Sequence, residues 1–461
     1  MICKKLYIML NVLIRPLQIE DAHISYIWRN DSEIWKFTGN RPNKEITLDI
    51  EKEWIENILK DNLSKRFAIL NKGEYVGNIQ LTNLSQKDAE FHVFIGDKNS
   101  WGKGIATLAT YQILFYAKEI LKLDSVYLNV NKNNEAAIKS YLKNGFQKEN
   151  EYGEQFKMRI NLKDLNPPEI NVFLMVYNHA SYLKTCLDSI LNQEVNNNFI
   201  INVGEDNSKD ESRAILREYQ DKFPGKFKML LHEHNIGAMA NQISILKSCN
   251  GKYIAMCEGD DYWTSPDKLA KQIEYLENNL DCNLVYHRSE VLDEESGEIE
   301  LEKLNNPEFP MKRDLSYFAL NGNFMHTATV MYRNNFKLPE KLFSGVVGDY
   351  ILWFLNGEKG LYGYIPDIMS VYRFWGGSTW GKKKTYFKVK GTLVMLKMLK
   401  DYIEDINVKN NLSKQMERNI KLLSLKDLSF QEKASFLYLI LKVKPNYLLD
   451  IFKKLPKLFK N

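Results

Sequence analysis

Residues 253–261 read Tyr-Ile-Ala-Met-Cys-Glu-Gly-Asp-Asp, an apolar run that passes directly into three carboxylates. The apolar part has the length and composition of a buried strand. Ligands of open α/β sheets bind at the carboxyl ends of strands, which is where the three acidic residues fall. Carboxylates placed so close together repel one another unless a hard cation neutralises them. The stretch therefore predicts an α/β sheet with a ligand- or metal-binding edge.

Two earlier strand ends have the same character. Residues 172–179 read Val-Phe-Leu-Met-Val-Tyr-Asn-His, and residues 203–208 read Val-Gly-Glu-Asp-Asn-Ser. Between these runs and after them, short apolar segments alternate with amphipathic helical patterns. Alternation of this kind predicts a parallel or mixed sheet covered by helices.

Together with residues 234–237 (His-Asn-Ile-Gly) and 348–353 (Gly-Asp-Tyr-Ile-Leu-Trp), these segments resemble glycosyltransferase family 2. The resemblance covers residues 168–380, and it implies a nucleotide-binding GT-A fold and inverting transfer from a nucleotide-sugar donor. It also implies that Asp260 faces a Mg²⁺ or Mn²⁺ ion on the diphosphate and that Asp349 is the base for the acceptor hydroxyl. The implied donor-binding residues, with Glu258 facing the ribose, are Tyr177, Asn178, Glu205, Asp206, Glu258 and Asp261.

Each of these residues also has an ordinary structural interpretation. An isolated Asp-Asp pair is usually solvated, a Glu-Asp-Asn-Ser stretch is a common turn, and Asp349 would suit the start of a helix. The match of five segments in the family's order favours the functional interpretation. Relatives often carry a histidine near the position that Trp375 occupies in this chain. Because tryptophan cannot replace the imidazole as a metal ligand, no such ligand is predicted from this segment.

A second group of motifs lies nearer the start of the chain. Residues 89–96 (Ala-Glu-Phe-His-Val-Phe-Ile-Gly) predict a strand, and residues 101–106 (Trp-Gly-Lys-Gly-Ile-Ala) open a long helix. Glycines let a backbone approach a ligand, and free N–H groups at a helix start suit a pyrophosphate. Residues 134–141 (Asn-Glu-Ala-Ala-Ile-Lys-Ser-Tyr) and the pair Gly145-Phe146 follow.

In this order the motifs resemble the GNAT acetyltransferase superfamily over residues 12–162, which implies a mixed α/β domain and acetyl-CoA as cofactor. The resemblance implies that Tyr141 is the general acid for the departing thiolate and Glu90 the base for the acceptor amine. Taken singly, Tyr141 also suits a packed core and Glu90 a solvated strand position, and His92 is interpreted as structural. The implied acetyl-CoA contacts, in which Trp101 replaces the family's usual Arg or Gln, are Trp101, Gly102, Lys103, Gly104, Ile105, Ala106 and Asn134.

The acceptor of the acetyl group stays open. Residues 15–31 resemble members that acetylate nucleotide-linked amino sugars, and acetyltransferases of ribosomal-protein N-termini have a similar opening. A third alternative is an inactive module that docks the enzyme to partners. The expected whole is a bifunctional enzyme of surface-glycan assembly, which N-acetylates an amino sugar and transfers a sugar to a glycan or lipid-linked acceptor.

A proline pair and the distribution of charge indicate the domain boundaries. The 461 residues divide at Pro167-Pro168 into predicted domains 1–164 and 169–380, followed by a helical basic region, 381–461. From residue 380 onward 18 Lys and one Arg oppose seven acidic residues, a net charge of +12, which leaves −7 for the rest. This asymmetry disfavours a nucleic-acid partner. The basic amphipathic tail either contacts an anionic membrane or packs on the transferase.

Cysteine use and hydropathy predict a cytoplasmic protein. Five cysteines without CxxC spacing disfavour a disulfide scaffold or a zinc module. No run approaches the ~20 apolar residues of a membrane span. Residues 6–14 are expected to form a first strand rather than a signal peptide. The basic tail leaves a second possibility, peripheral contact with the inner face of the plasma membrane.

Overall fold

A computed structural model describes residues 9–36, 44–303, 311–339, 342, 348–376, 384–423 and 428–443. Two separate sheets flanked by helices are followed by further helices, so the predicted α/β class with a helical C-terminal region is confirmed. The first sheet ends at Asn161 and the second begins at Ile170.

The first domain consists of one seven-stranded sheet and the helices packed on it. They are β1 (Val12–Pro16), α1 (Ala22–Arg29), α2 (Leu48–Leu59), β2 (Lys65–Asn71), β3 (Glu74–Thr82), β4 (Asp88–Ile95), α3 (Ile105–Glu119), β5 (Ser125–Asn131), α4 (Glu135–Lys143), β6 (Gln147–Tyr152) and β7 (Gln155–Asn161). Among the described residues the sheet order is β1-β2-β3-β4-β5-β7-β6.

The parallel neighbours β4 and β5 separate before either strand ends. They pair only over Asp88–Glu90 and Ser125–Tyr127, although β5 continues beside β7 as far as Asn131. The loop before α3 adjoins the far end of β4, because the Trp101 indole donates a hydrogen bond to the carbonyl of Ile95 (2.8 Å). A wedge therefore opens between β4 and β5.

The second domain is a sheet with helices on both faces. Its elements are β8 (Ile170–Val176), α5 (Ala180–Leu191), β9 (Phe199–Glu205), α6 (Ser212–Lys222), β10 (Phe227–Leu231), α7 (Ala238–Ser248), β11 (Tyr253–Glu258), β12 (Tyr262–Trp263), α8 (Lys268–Asn278), β13 (Cys282–Asp293), β14 (Ile299–Leu301), β15 (Lys312–Arg313), α9 (Leu315–Asn321), β16 (Met331–Arg333), α10 (Gly348–Gly357) and β17 (Leu361–Phe374). Over the described residues the main path is β10-β9-β8-β11-β16-β13-β17-β12.

Strand direction brings the polar strand ends to one edge of this sheet. Four neighbouring strands run parallel to one another: β10, β9, β8 and β11. The next strand, β16, is antiparallel to both β11 and β13, so β13 runs in the same direction as β11. β17 pairs parallel with β13 and therefore also runs in this direction. Along β11, Ile254 and Met256 face one core while Ala255 and Cys257 face the other. Burial on both faces explains why β11 is apolar until Glu258.

The tail forms α11 (Thr385–Tyr402), α12 (Ile406–Lys421) and α13 (Phe430–Val443). Leu393, Leu412 and Phe436, from the three helices in turn, belong to the same buried cluster as Trp353 of α10. The packing alternative for the tail therefore holds for these apolar faces, whereas residues 444–461 lie outside the described residues. Among the helices that the structure describes, none combines the length and apolarity needed to cross a membrane.

The two domains are joined at the edge of the second sheet opposite its polar strand ends. Asn11 donates through Nδ2 to the carbonyls of Leu191 (2.6 Å), the last residue of α5, and of Gln193 (2.9 Å), which follows the helix. Leu13 packs in the second domain's core, and Ile200, near the start of β9, packs in the first domain's core. A seven-residue strand spans about 20 Å, so this distance separates the joint from the carboxylates at the other edge.

Candidate active sites

The carboxylates of Glu258, Asp260 and Asp261 converge at the carboxyl end of β11, where one oxygen from each lies within 4.8 Å of the others. Asp261 is 1% exposed; its Oδ1 accepts the backbone N–H of Arg373 (2.9 Å). Its Oδ2 is buried without a hydrogen-bond partner among the described residues. An unpartnered buried carboxylate oxygen in a set of oxygen donors fits a hard divalent cation.

Electrostatics support the same interpretation. Burial, followed by the charges of Asp260 and Asp349, raises the pKa of Glu258 to about 8. Burial, followed by the charges of Asp260 and Glu258, also raises the pKa of Asp261 well above its ordinary value. A bound cation would replace the protons that these groups hold.

The end of β17 holds the carboxylate turn in place. Arg373 donates through Nε to the Asp260 carbonyl (2.7 Å) and forms an ion pair with Glu294. The Trp375 indole donates to Asp260 Oδ2 (2.8 Å). Sequence reasoning noted this segment but assigned it no role, because the contact to Asp260 depends on the pairing of β17 with distant strands.

Asp349 lies in the first turn of α10. Its Oδ1 accepts the backbone N–H of Tyr350 (2.7 Å), and its Oδ2 accepts the amide of Asn323 (3.3 Å). Burial raises the pKa of Asp349, which makes the carboxylate a stronger base. The charge of Asp349 also raises the pKa of Glu258, so Asp349 lies within electrostatic reach of the carboxylates.

The predicted nucleoside residues divide into exposed and internal ones. Tyr177 is 38% exposed, whereas Asp206 accepts backbone N–H groups from Ile236 (2.7 Å) and Gly237 (3.0 Å). Asn178 Oδ1 accepts the N–H of Lys209 (2.8 Å). Asp206 and Asn178 therefore organise the loops at the strand ends.

Glu205 requires a correction. Its side chain is fully buried, and its oxygens are engaged by the Ser208 N–H (2.5 Å) and by Arg213. A carboxylate with no exposed surface does not meet a nucleoside, so the prediction of direct contact is wrong for this geometry. Glu205 instead holds the loop that follows β9.

In the first domain, the loop before α3 forms an open cradle. Gly102 and Gly104 have φ angles of +72° and +93°, which L side chains rarely adopt, and no atom lies within 4 Å of an added Cβ. The first N–H groups of α3, from Ile105 and Ala106, have no intrahelical acceptor. Together with exposed Lys103 they suit a pyrophosphate. The Trp101 N–H is already used by Ile95, so this side chain has no polar donor left for phosphates.

The far side of the cradle is formed by α4. Asn134 caps this helix by accepting the N–H of Ala137 (3.2 Å) through Oδ1, which leaves its amide N–H groups as donors. Tyr141 is 8% exposed and packs edge-on against Phe91 of β4 (5.8 Å between ring centroids). Burial raises the pKa of Tyr141 to about 12, so the hydroxyl keeps its proton at neutral pH.

Glu90 lies at the base of the wedge, on the face of β4 opposite Phe91. Its carboxylate accepts hydrogen bonds from the amides of Asn83 (2.8 Å) and Asn129 (3.2 Å). His92 contacts Thr82 (3.0 Å), and burial lowers its pKa. Sequence reasoning missed both asparagines, which no spacing rule connects to Glu90.

Family models match both domains in chain order. The acetyltransferase (GNAT) domain model matches residues 11–147, and the model of glycosyl transferase family 2 matches residues 171–337. The first domain therefore belongs to the GNAT acetyltransferase family, and residues 171–337 match the glycosyl transferase family 2 model. The chain joins a GNAT acetyltransferase domain to a family 2 glycosyltransferase domain.

Curated relatives follow the same division. The acetyltransferase domain is similar to spermidine N(1)-acetyltransferase of Escherichia coli K12, at 30% identity over 148 residues, 32% of this chain and 78% of that protein. The glycosyltransferase domain is similar to an uncharacterized glycosyltransferase of Methanocaldococcus jannaschii, at 28% identity over 194 residues, 41% of this chain and 65% of that protein. An uncharacterized protein of Mycobacterium tuberculosis is 31% identical over 215 residues, 46% of this chain. The chain spans 60% of that mycobacterial protein's length.

Solved structures similar to this chain include spermidine N-acetyltransferase from Vibrio cholerae in complex with CoA and spermine. The identity is 23% and the TM-score 0.31, over 33% of this chain and 96% of that one. Campylobacter jejuni N-acetyltransferase PseH is 18% identical with a TM-score of 0.26, over 33% of this chain and 98% of that one.

Proposed function

We propose that the chain is a bifunctional transferase of surface-glycan assembly. The glycosyltransferase domain transfers a sugar from a nucleotide-sugar donor to a glycan or lipid-linked acceptor, and the acetyltransferase domain N-acetylates an amino sugar with acetyl-CoA. The observation that carries the proposal is the convergence of Glu258, Asp260 and Asp261 at the carboxyl end of β11, within electrostatic reach of Asp349.

In sugar transfer, Asp349 accepts the proton of the acceptor hydroxyl while that oxygen attacks the anomeric carbon in line, which inverts its configuration. Asp260 and Asp261 would hold Mg²⁺ or Mn²⁺, which stabilises the charge that develops on the leaving diphosphate. Glu258 faces the ribose, and exposed Tyr177 lines the nucleoside. Asn178, Glu205 and Asp206 act by shaping the loops at the strand ends.

In acetyl transfer, the pyrophosphate of acetyl-CoA is bound by the cradle of residues 101–106, and the pantetheine arm by Asn134. Glu90, held by its two asparagines, accepts a proton from the acceptor amine as the nitrogen attacks the thioester carbonyl. Tyr141 donates its proton to the departing thiolate. The C–S bond breaks as the amide bond forms.

The charges around Glu90 do not select the acceptor. Tyr127, which is the register partner of Glu90 on β5, lies close to Arg159 Cζ (5.2 Å from the ring centroid) and Lys157 Nζ (5.0 Å). Both cations are already paired with acidic side chains, Arg159 with Asp88 and Glu149 and Lys157 with Glu149. The amino-sugar acceptor is therefore proposed from the resemblance of residues 15–31. A protein amine and an inactive docking domain are the remaining alternatives.

We further propose a cytoplasmic location with peripheral contact to an anionic membrane through the tail. Phe430, Tyr438 and Leu441 are exposed on α13, and the tail carries a net charge of +12. Lysines near an anionic surface contribute about 1 kcal/mol each. A chain ending at residue 443 keeps the packed helices and is expected to bind anionic vesicles more weakly than the full chain. Equal binding at low and high salt would contradict the electrostatic contribution.

The decisive experiment screens nucleotide sugars for metal-dependent transfer and hydrolysis, with Mn²⁺ or Mg²⁺. Parallel assays measure acetyl-CoA turnover with amino-sugar nucleotides, peptides and spermidine. Asp260→Asn is expected to abolish sugar transfer and to leave acetylation intact, since the two sites share no residue. Full transfer by Asp260→Asn, or by the wild type in excess EDTA, would contradict the metal assignment. A folded chain that turns over acetyl-CoA with none of these amines would favour the docking alternative.

A further inference from the structure

A glutamine of the tail is buried against the two segments that hold Asp349. Gln415 lies on α12 and is 5% exposed. Its Oε1 accepts a hydrogen bond from the hydroxyl of Tyr350 (2.7 Å), which follows Asp349 on α10. Its Nε2 lies against Gly322, just after α9, where an added Cβ would be 2.8 Å from this nitrogen. One side chain of the tail therefore contacts both segments.

Each of these segments supplies one hydrogen bond to the Asp349 carboxylate. The backbone N–H of Tyr350 donates to Oδ1 (2.7 Å), and the side-chain amide of Asn323 donates to Oδ2 (3.3 Å). The amide of Asn323 is itself oriented, since its Oδ1 accepts the N–H of Met325 (3.0 Å). The two groups that orient the carboxylate are therefore both linked to Gln415, one directly and one through the adjacent Gly322.

The packing of α12 fixes the glutamine. Leu412 and Met416 of the same helix are buried in one cluster with Tyr350, whose ring packs on Phe318 of α9 (4.5 Å between ring centroids). Burial raises the pKa of Tyr350, so its hydroxyl keeps the proton that it donates to Gln415. The hydrogen bond therefore joins two side chains that packing already immobilises, which is what accurate orientation of a third group requires.

We propose that Gln415 is a positioning residue for Asp349, so that the tail is a working part of the glycosyltransferase site. A base must lie within hydrogen-bond reach of the proton that it accepts, and a misplacement of ~1 Å can cost about 10²-fold in rate. The proposal rests on the role of Asp349 as base, proposed above. It gives a function to a region that lies beyond the family model, which ends at residue 337.

The test replaces each partner of the bond between Tyr350 and Gln415 in the full chain. Gln415→Met keeps the length of the side chain and removes the acceptor, whereas Tyr350→Phe keeps the ring against Phe318 and removes the donor. The probes are UDP-glucose and UDP-N-acetylglucosamine, with water as acceptor and release of uridine diphosphate as the readout. We expect kcat to fall about 10–100-fold in each variant, while KM for the nucleotide sugar changes by less than about twofold. The double variant should be no slower than the slower single variant, because all three lack the same hydrogen bond.

Asn411→Ala is the matched control on the same helix. Asn411 donates through Nδ2 to the carbonyl (3.1 Å) and the Oγ (2.8 Å) of Ser316 at the start of α9, away from both segments that hold Asp349. This variant should lower the melting temperature and leave kcat unchanged at temperatures well below unfolding. Hydrogen exchange at residues 322–325 and 348–353 needs no sugar donor, and it should quicken in Gln415→Met and Tyr350→Phe but not in Asn411→Ala.

Asp349→Asn separates this inference from the proposed function. Hydrolysis by Asp349→Asn at the wild-type rate would overturn the base itself. Loss of hydrolysis in Asp349→Asn together with wild-type kcat in Gln415→Met would overturn only the positioning role. Equal losses of kcat in Gln415→Met and Asn411→Ala, or unchanged exchange in both segments, would also overturn it. If the wild type hydrolyses neither probe, the exchange measurement decides alone.

Discussion

At the scale of single residues, a substitution of Tyr141 can distinguish a role in proton transfer from a role in core packing. Tyr141→Phe keeps the ring against Phe91 and removes only the proton donor. Acetyl transfer is expected to slow by ~10²–10⁴-fold, the usual contribution of a general acid. Affinity for CoA, measured by calorimetry, and sugar transfer should not change. Acetylation at the wild-type rate would show that Tyr141 is part of the core and not the acid.

The raised pKa of Glu258 makes the stability of the folded chain depend on pH, and a bound cation should reduce this dependence. The pKa of Glu258 is about 8 in the folded chain and 4.5 ordinarily, so the folded state keeps a proton that the unfolded chain loses. This contribution to the free energy of unfolding is fully present below the ordinary pKa and is lost as the pH rises through about 8. In EDTA, the melting temperature of the wild type should fall relative to that of Glu258→Gln between about pH 5 and about pH 9. Mn²⁺ should reduce this fall, and parallel curves in EDTA would contradict the raised pKa.

At the scale of elements, the cradle before α3 depends on backbone conformation rather than on side-chain space. An alanine at Gly104 meets no atom within 4 Å, but the φ of +93° strains it by about 1–2 kcal/mol. We expect Gly104→Ala to relax the loop and to weaken CoA binding about 5–30-fold, the same free energy expressed as affinity. Gly153→Ala is a matched control, because Gly153 has a φ of +51° and open surroundings in the turn between β6 and β7. Its CoA affinity should equal that of the wild type, and equal losses in both variants would contradict the cradle.

At the scale of the whole molecule, the joint at Asn11 couples the stability of the two domains. The motifs of each domain lie on one side of Pro167-Pro168, a division that by itself favours independent folding of residues 1–166. The structure instead exchanges core residues across the joint, Leu13 in one direction and Ile200 in the other. We therefore expect the intact chain to unfold in a single calorimetric transition.

Asn11→Ala tests this coupling, because it leaves two carbonyls without their buried donor, a loss of about 1–3 kcal/mol. Hydrogen exchange should quicken in both domains, whereas Asn62→Ala, at an exposed position, should leave both unchanged. Two transitions, or faster exchange confined to the first domain, would show that the domains are independent. The joint also lies at the edge opposite the carboxylates, so the fusion does not place the two sites side by side.

The sequence by itself determined the α/β class, the two families, the carboxylates after β11 and the glycine cradle before α3. These features are local: apolar periodicity, positive-φ glycines and polar residues at strand ends are encoded within a few neighbouring positions. Only the tertiary structure decided that Glu205 is internal, that two asparagines hold Glu90 and that Gln415 contacts both segments beside Asp349. It also decided that the apolar faces of α11–α13 pack on the second domain and that the domains share core residues. These outcomes depend on long-range packing, in which residues far apart in the chain compete for the same buried space, and no local pattern records that competition.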